Sequence, residues 1–343
     1  MTRIILFLFL MGLLLFRIWQ VWPLDRKQSE SGFEGISGYF TPWRKELASH
    51  IYEILPTPQG PLLAGILLGE KTNIPKDLTQ ALQNTSTIHI AVVSGQNLSM
   101  LAGFILTLAP LLGRKKMIVA ALSTSLLYAF LTGFQVPVIR ALVMVVLVFA
   151  AQLFGRENDS FWALMVTGLV MLSLNPNWAF SISFQLSFAA TLAVVRVAPL
   201  VVANLAWLPE VMREDLGVSL AAQALTLPII AANFHQLSML GVIVNALVLW
   251  TISPIMLTGL MALVASLIWP PLGWTLGIIP NIFLMYFLQL VNWFDSIPFN
   301  KMYIPTLPVV VWAGYYLLLF GAYLRLKQRG QHLAHLTKQG VVV

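Results

Sequence analysis

Two groups of residues in this chain could do chemistry. The first is the run Ile88-His89-Ile90-Ala91-Val92-Val93-Ser94-Gly95-Gln96-Asn97-Leu98-Ser99-Met100, which sets polar side chains and a glycine inside an apolar stretch reaching Leu112. Read as one helix, His89 lies seven and eight residues before Gln96 and Asn97, so the three share a face. Ser94 stands three residues before Asn97 on a neighbouring strip. Polar groups at bilayer depth are costly unless they face other helices or a wet cavity. The run therefore either glues helices together by hydrogen bonds or lines a polar path. The second group is Gln135-Val136-Pro137-Val138-Ile139-Arg140. Proline suits a first helical turn, where free N–H groups and a partial positive charge gather. Arg140 beside them makes an anion site; the plainer alternative is an arginine snorkelling to headgroups.

Other candidates are single residues. Gln185 sits among Phe180, Phe184 and Phe188, whose four-residue spacing makes one stripe. Such a stripe could stack bases, though core or lipid packing is the commoner use. Gln223, Thr226, Asn233 and Asn245 add polar positions, with Pro228 and Pro254 available to bend their helices. Arg196 reads as a snorkelling residue. The chain has no phosphate-binding loop of the Gly-x-x-x-x-Gly-Lys-Ser/Thr type and no His-Glu-x-x-His site. Ser94, His89 and Asp295 make a hydrolytic set only on paper. No catalytic residue, metal or cofactor is expected.

The elements that must position these residues follow from composition. Of 343 residues, 58% are hydrophobic and 10% charged, with a mean hydropathy of +0.82; soluble domains carry about 25% charged residues. This is the composition of an integral membrane protein. Cysteine is absent, which excludes disulfides and thiolate metal sites. The expected fold is all-α, a polytopic helical bundle of about ten transmembrane helices. After an anchor over 1–24 comes a mixed-charge region over 25–87. Its segment Pro61–Gly69 is too short to span, and either lies along the interface or re-enters the bundle. Spans are then expected near 88–112, 117–134, 137–154, 160–174, 180–204, 216–234, 239–268, 274–296 and 308–325. Together these form a membrane domain over 88–326, with a basic tail over 327–343.

Orientation follows from the basic residues. With the N-terminus cytoplasmic, Arg3, Arg114, Lys115, Lys116, Arg156, Arg213, Arg325, Lys327, Arg329 and Lys338 fall inside. The short outer loops hold only Lys301, and 25–87 faces outward. The expected location is the plasma (inner) membrane, multi-pass, with both termini cytoplasmic.

Four ordered stretches resemble the competence domain of the ComEC-type DNA-uptake channels. They are His89-Ile-Ala-Val-Val-Ser94-Gly95; Leu131-Thr-Gly-Phe-Gln-Val-Pro137-Val-Ile-Arg140-Ala141; Phe184-Gln185-Leu-Ser187-Phe188-Ala-Ala; and Gln223-Ala-Leu-Thr226-Leu-Pro228, followed by Asn245 and Pro254. Where the family usually reads Ser-Gly-Leu-His, this chain has Ser94-Gly95-Gln96-Asn97; Asn97 keeps hydrogen bonding but cannot become a cation. Full-length relatives often carry an outer nucleic-acid-binding domain and a metallo-β-lactamase-like domain. The region 25–87 is too short for the first, and the His-x-His-x-Asp-His motif of the second is absent.

The resemblance implies a channel passing single-stranded DNA into the cytoplasm through the lipid bilayer. It carries over His89, Ser94, Gly95, Arg140, Gln185, Gln223, Thr226, Pro228 and Asn245 by position as substrate-pathway candidates, and Asn97, which departs from the family's histidine, is kept beside them for its polar side chain. It also implies a separate nuclease and a cytoplasmic motor or DNA-pulling protein as partners, with a homo-oligomer left open. The alternative from another class is a transporter of a small anionic solute that uses the same Arg140.

Overall fold

The computed structural model describes residues 2–21, 34–91, 93–155, 159–205, 207–305 and 307–338. Residues 22–33, Arg156 and 339–343, to which the sequence assigned the end of the anchor and the start of the mixed-charge region, a cytoplasmic charge and part of the tail, lie outside the described residues, as do the side chains of Arg3, Lys301, Arg329 and Lys338. The chain is almost entirely helical: α1 (Thr2–Val21), α2 (Glu34–Ile54), α3 (Gln59–Leu68), α4 (Lys76–Asn84), α5 (Gly95–Thr107), α6 (Ala109–Leu112), α7 (Arg114–Leu131), α8 (Val136–Leu153), α9 (Ser160–Leu174), α10 (Ile182–Leu192), α11 (Ala198–Asn204), α12 (Glu210–Phe234), α13 (Gly241–Ile268), α14 (Pro270–Asp295) and α15 (Val309–Lys338). A π-turn over Ala193–Val197 joins α10 to α11. Two three-residue strands, β1 (Gln236–Ser238) and β2 (Lys301–Tyr303), pair antiparallel with Leu237 opposite Met302.

Boundaries follow local chemistry. Asp159 accepts the N–H groups of Phe161 and Trp162 at 3.1 and 3.2 Å and so starts α9. Arg17 on α1 donates to the carbonyls of Ser173 and Leu174 at the other end of α9, satisfying acceptors that a helix end leaves open. Gly69, at φ 72°, closes α3 in the left-handed conformation, which suits a residue without Cβ.

Among the described residues five segments are long and apolar enough to cross a membrane: Val136–Leu153, Ile182–Asn204, Met212–Phe234, Gly241–Ile268 and Pro270–Asp295. With Pro254 inside it, α13 runs unbroken for 28 residues. The expected span 88–112 is corrected. Its helix starts only at Gly95, and its 13 residues cover about 20 Å, short of the roughly 30 Å hydrocarbon core. The reason is local. Ser94 is extended, at φ −112° and ψ 161°, and its hydroxyl accepts the Asn97 N–H at 3.3 Å, so α5 is capped there. The segment before it lies against α3, so close that a Cβ on Gly65 would stand 2.6 Å from the Ala91 carbonyl oxygen.

The largest core joins α2, α3 and α4 to α13 and α14 through Ile51, Leu62, Ile66, Leu82, Ile255 and Phe287. Nine of the ten residues of α3 are buried, so this short helix packs inside the helical core. Beside this core runs a polar network. Asn84 donates to Asp295 Oδ1 at 2.6 Å, and its Oδ1 accepts from Gln80 and Gln236 at 2.9 and 2.6 Å. Asn300, wholly buried, accepts from Ser238 Oγ and the Leu240 N–H and donates to the carbonyls of Asn84 and Phe294.

On α12, Pro228 has no N–H for the Ala224 carbonyl four residues earlier. Tyr315 of α15 supplies the missing donor, its hydroxyl lying 3.0 Å from that oxygen, and Tyr316 donates to the next carbonyl, Leu225, at 3.0 Å.

Candidate functional site

Three helices converge on Arg140. The start of α8 is held by a core of Val136, Ile139, Met171, Trp178 and Phe184, which ties it to the end of α9 and the start of α10. A second core of Val93, Leu98, Ala102, Val138 and Ala141 presses the same turn of α8 against α5. Arg140 is therefore aimed between α5 and α10. Its Nη1 donates to the hydroxyl of Thr191 on α10, and that hydroxyl in turn lies 2.9 Å from the Ser187 carbonyl, to which it donates. Toward α5 the guanidinium meets Gly95: a Cβ there would stand 2.6 Å from Nη2 and 3.1 Å from the Pro137 carbonyl oxygen. Only glycine leaves room for that approach.

The arginine's remaining donors are unspent. Nε is buried without a hydrogen-bond partner among the described residues, and Nη2 faces the first turn of α5. Among the described residues no carboxylate pairs with this cation. The buried Glu70, on the turn after α3, has partners of its own. Burial pushes its carboxyl up, but hydrogen bonds from the Thr72 hydroxyl and N–H, with the charges of Arg44 and Lys45 on α2, outweigh burial and hold it below the usual carboxylate range. It borders a cleft of about 260 Å³ with Lys45, Tyr52, Thr72 and Asn73. What Arg140 can do is hold an anion.

The expected pathway residues divide. Ser94, Gly95 and Arg140 meet at this junction. Asn97 stands beside it but is engaged in packing: it is 2% exposed, its Nδ2 donates to the Ile66 carbonyl of α3 at 2.9 Å, and its Oδ1 accepts from Ser94 Oγ at 2.9 Å. His89 does not share its face. It lies exposed on the turn after α4, off the α5 helix altogether. The helix start that Arg140 faces is that of α5 and not that of its own α8.

Gln185 donates to the Ala179 carbonyl at 3.0 Å and so serves the turn before α10. The aromatic stripe packs: Phe184 and Phe188 stack at 4.3 Å, and Phe188 lies on Gly168 of α9. Thr226 bonds back to Ala222 on its own helix. Asn245 buries an Oδ1 that has no partner among the described residues, and Gln223 is half-buried on α12. Ser94 and Asp295 bond to Asn97 and Asn84, and the geometry does not assemble them with His89. Arg196 stacks over the Phe161 ring at 4.0 Å beside a cleft of about 430 Å³. Thr191 was missed by sequence reasoning. A threonine in an apolar helix carries no mark of its own, and its partner lies 51 residues away.

Comparison with known proteins bears on the same residues. The chain is 27% identical over 263 residues to ComE operon protein 3 of Bacillus subtilis, covering 75% of this chain and 32% of that protein. An uncharacterized protein of Aquifex aeolicus is 33% identical over 207 residues, 60% of this chain and 48% of that one. The uncharacterized protein YcaI of Escherichia coli is 26% identical over 214 residues, 59% of this chain and 28% of that one. The chain thus spans less than half the length of each of these relatives. No solved structure matches it. The sequence model of the Competence protein family matches residues 66–329, a stretch that runs from the end of α3 into α15 and contains the whole α5, α8 and α10 junction. The chain belongs to the Competence protein family.

Proposed function

We propose that this protein is a channel part that passes single-stranded DNA across the plasma (inner) membrane into the cytoplasm during natural transformation. The observation that carries the reading is the cation without a counter-charge at the helix junction. A buried charge is expensive unless something pairs with it, and a strand in transit brings one phosphate per nucleotide. Conduction needs binding weak enough to release, and one arginine among neutral groups satisfies that. Membership of the Competence protein family and the similarity to ComE operon protein 3 support a part in DNA uptake. In this reading the bundle crosses the membrane several times, and a separate nuclease and a cytoplasmic DNA-pulling protein complete the path. The assembly state, single chain or homo-oligomer, is open to either.

The same unpaired arginine also suits a transporter of a small anionic solute, so the test separates the two. Cells lacking the gene are restored with the wild-type protein, Arg140→Ala or Arg140→Lys, and internalised labelled single strands are counted at equal membrane levels of protein. The channel reading expects uptake restored by wild type, about tenfold or more lower with alanine, and only partly recovered with lysine, which keeps charge but not the fork. Uptake unchanged by deletion, in cells without a second homologue, sinks the channel and leaves the solute transporter.

A further inference from the structure

The way Arg140 is held says more than that it is unpaired. A guanidinium offers donors in a fixed planar fork, and Nε with Nη2 forms one two-donor edge of the kind that grips a carboxylate or phosphate bidentately. In this structure the third nitrogen, Nη1, is the one tied down, to Thr191. The Thr191 hydroxyl spends its single proton on the Ser187 carbonyl, so its lone pairs are left to face Arg140. This two-step relay sets the rotation of the guanidinium and leaves the Nε–Nη2 edge over. Nε is buried without a partner, and Nη2 stands against Gly95, the first residue of α5. The Asn97 N–H is already taken by Ser94. The Gly95 and Gln96 N–H groups are therefore the donors that the first turn of α5 has to offer at the same place.

We propose that the Nε–Nη2 edge of Arg140 and the first-turn N–H groups of α5 form a binding site for one tetrahedral phosphate oxyanion, with Thr191 as its positioning residue. Donors from two directions suit a tetrahedral group better than a planar one. The charge is sufficient as well. One guanidinium and a helix start carrying about half a positive charge together offset the single negative charge of a phosphodiester and most of the roughly −1.5 to −2 of a phosphate monoester. The shared chemistry is the phosphate oxyanion, and a diester and inorganic phosphate are both admitted. That the oxyanion belongs to a strand in transit rests on the channel reading above; the site itself does not.

The test uses the full-length protein in nanodiscs, with a fluorescent oligothymidylate as one probe and inorganic phosphate as its competitor. Wild type and Thr191→Ser are expected to bind the oligonucleotide alike. Thr191→Val, which keeps shape and loses the hydroxyl, is expected to bind about tenfold more weakly when measured well below its own thermal midpoint. Gly95→Ala reaches the same fork from the α5 side and is expected to weaken binding similarly, so the proposal does not hang on one variant folding. Arg140→Met is expected to flatten the slope of log affinity against log salt by about 0.7, one single-strand phosphate contact, whereas Thr191→Val keeps the slope.

Binding that ignores Thr191 and Gly95, or a salt slope that ignores Arg140, overturns the site. Inorganic phosphate that fails to displace the oligonucleotide from the wild-type protein overturns the assignment of the site to a phosphate oxyanion. The two readings fail separately. Uptake in cells that needs Arg140 while binding ignores Thr191 removes the site and keeps the channel. Phosphate binding that follows these residues while uptake ignores Arg140 does the reverse.

Discussion

The network around Asn300 and the junction around Arg140 are both polar islands in an apolar bundle, and they close differently. Asn300 spends all of its capacity, two donors to carbonyls and an oxygen accepting twice. Arg140 has five N–H donors and makes one hydrogen bond to protein, through Nη1. A network that exists to hold helices together leaves nothing over, because each unmet buried group costs about 1–3 kcal/mol. A site that receives something keeps donors in reserve and carries that cost until its ligand arrives. Asn97 shows the distinction within one motif: it sits beside Ser94 and Gly95 but closes its bonds internally, onto Ile66 and Ser94.

The comparison makes quantitative demands. Asn300→Ala strands the Ser238 hydroxyl, the Leu240 N–H and two carbonyls at once, so unfolding in detergent is expected to lose roughly 3–5 kcal/mol. A loss under about 1 kcal/mol would mean that the network is not what holds α4, β1 and α14 together. Asn97→Ala is expected to cost about 1–3 kcal/mol by freeing the Ile66 carbonyl. DNA uptake per folded molecule should stay at the wild-type level; a specific loss of uptake would move Asn97 from glue to path. Arg140→Met is expected to run the other way, with stability unchanged or about 1 kcal/mol higher because an uncompensated charge has left the interior. If that variant unfolds as easily as Asn300→Ala, the arginine is a fastener and the contrast collapses.

Much of the fold was legible because its punctuation is local. Pro137 and Pro270 stand in the first turns of α8 and α14 and Asp159 caps α9, each at the edge of an apolar run. The start of α5 was not legible, since Ile88 to Val93 is equally apolar as helix or as extended chain. What keeps Ile88 to Ala91 out of the helix, as a turn, is Ser94 as a cap together with a packing partner, Gly65, far upstream in the sequence. For the same reason His89 was set on a face it does not share. Among the described residues five segments are long and apolar enough to cross, against the ten read from hydropathy; two of the missing five are α5 and α9, which at 13 and 15 residues are too short, and α7 opens on three basic residues. At the candidate site Arg140 was visible as a charge out of place. The surroundings that give it a direction, Gly95 on one side and Thr191 on the other, come from helices 45 and 51 positions away in the chain, and hydrophobic pattern says nothing about which helices meet.

The proline in α12 has a consequence for anyone who recombines this chain with another. The carbonyls of Ala224 and Leu225 depend on hydroxyls contributed some ninety residues later, by Tyr315 and Tyr316. Pro228 and that tyrosine pair therefore form a unit of inheritance: a chimera whose crossover falls between them joins a helix with an open acceptor to one that has no donor for it. Breakpoints outside 228–316 leave the pair intact, and those inside it need the tyrosines transplanted along with the proline.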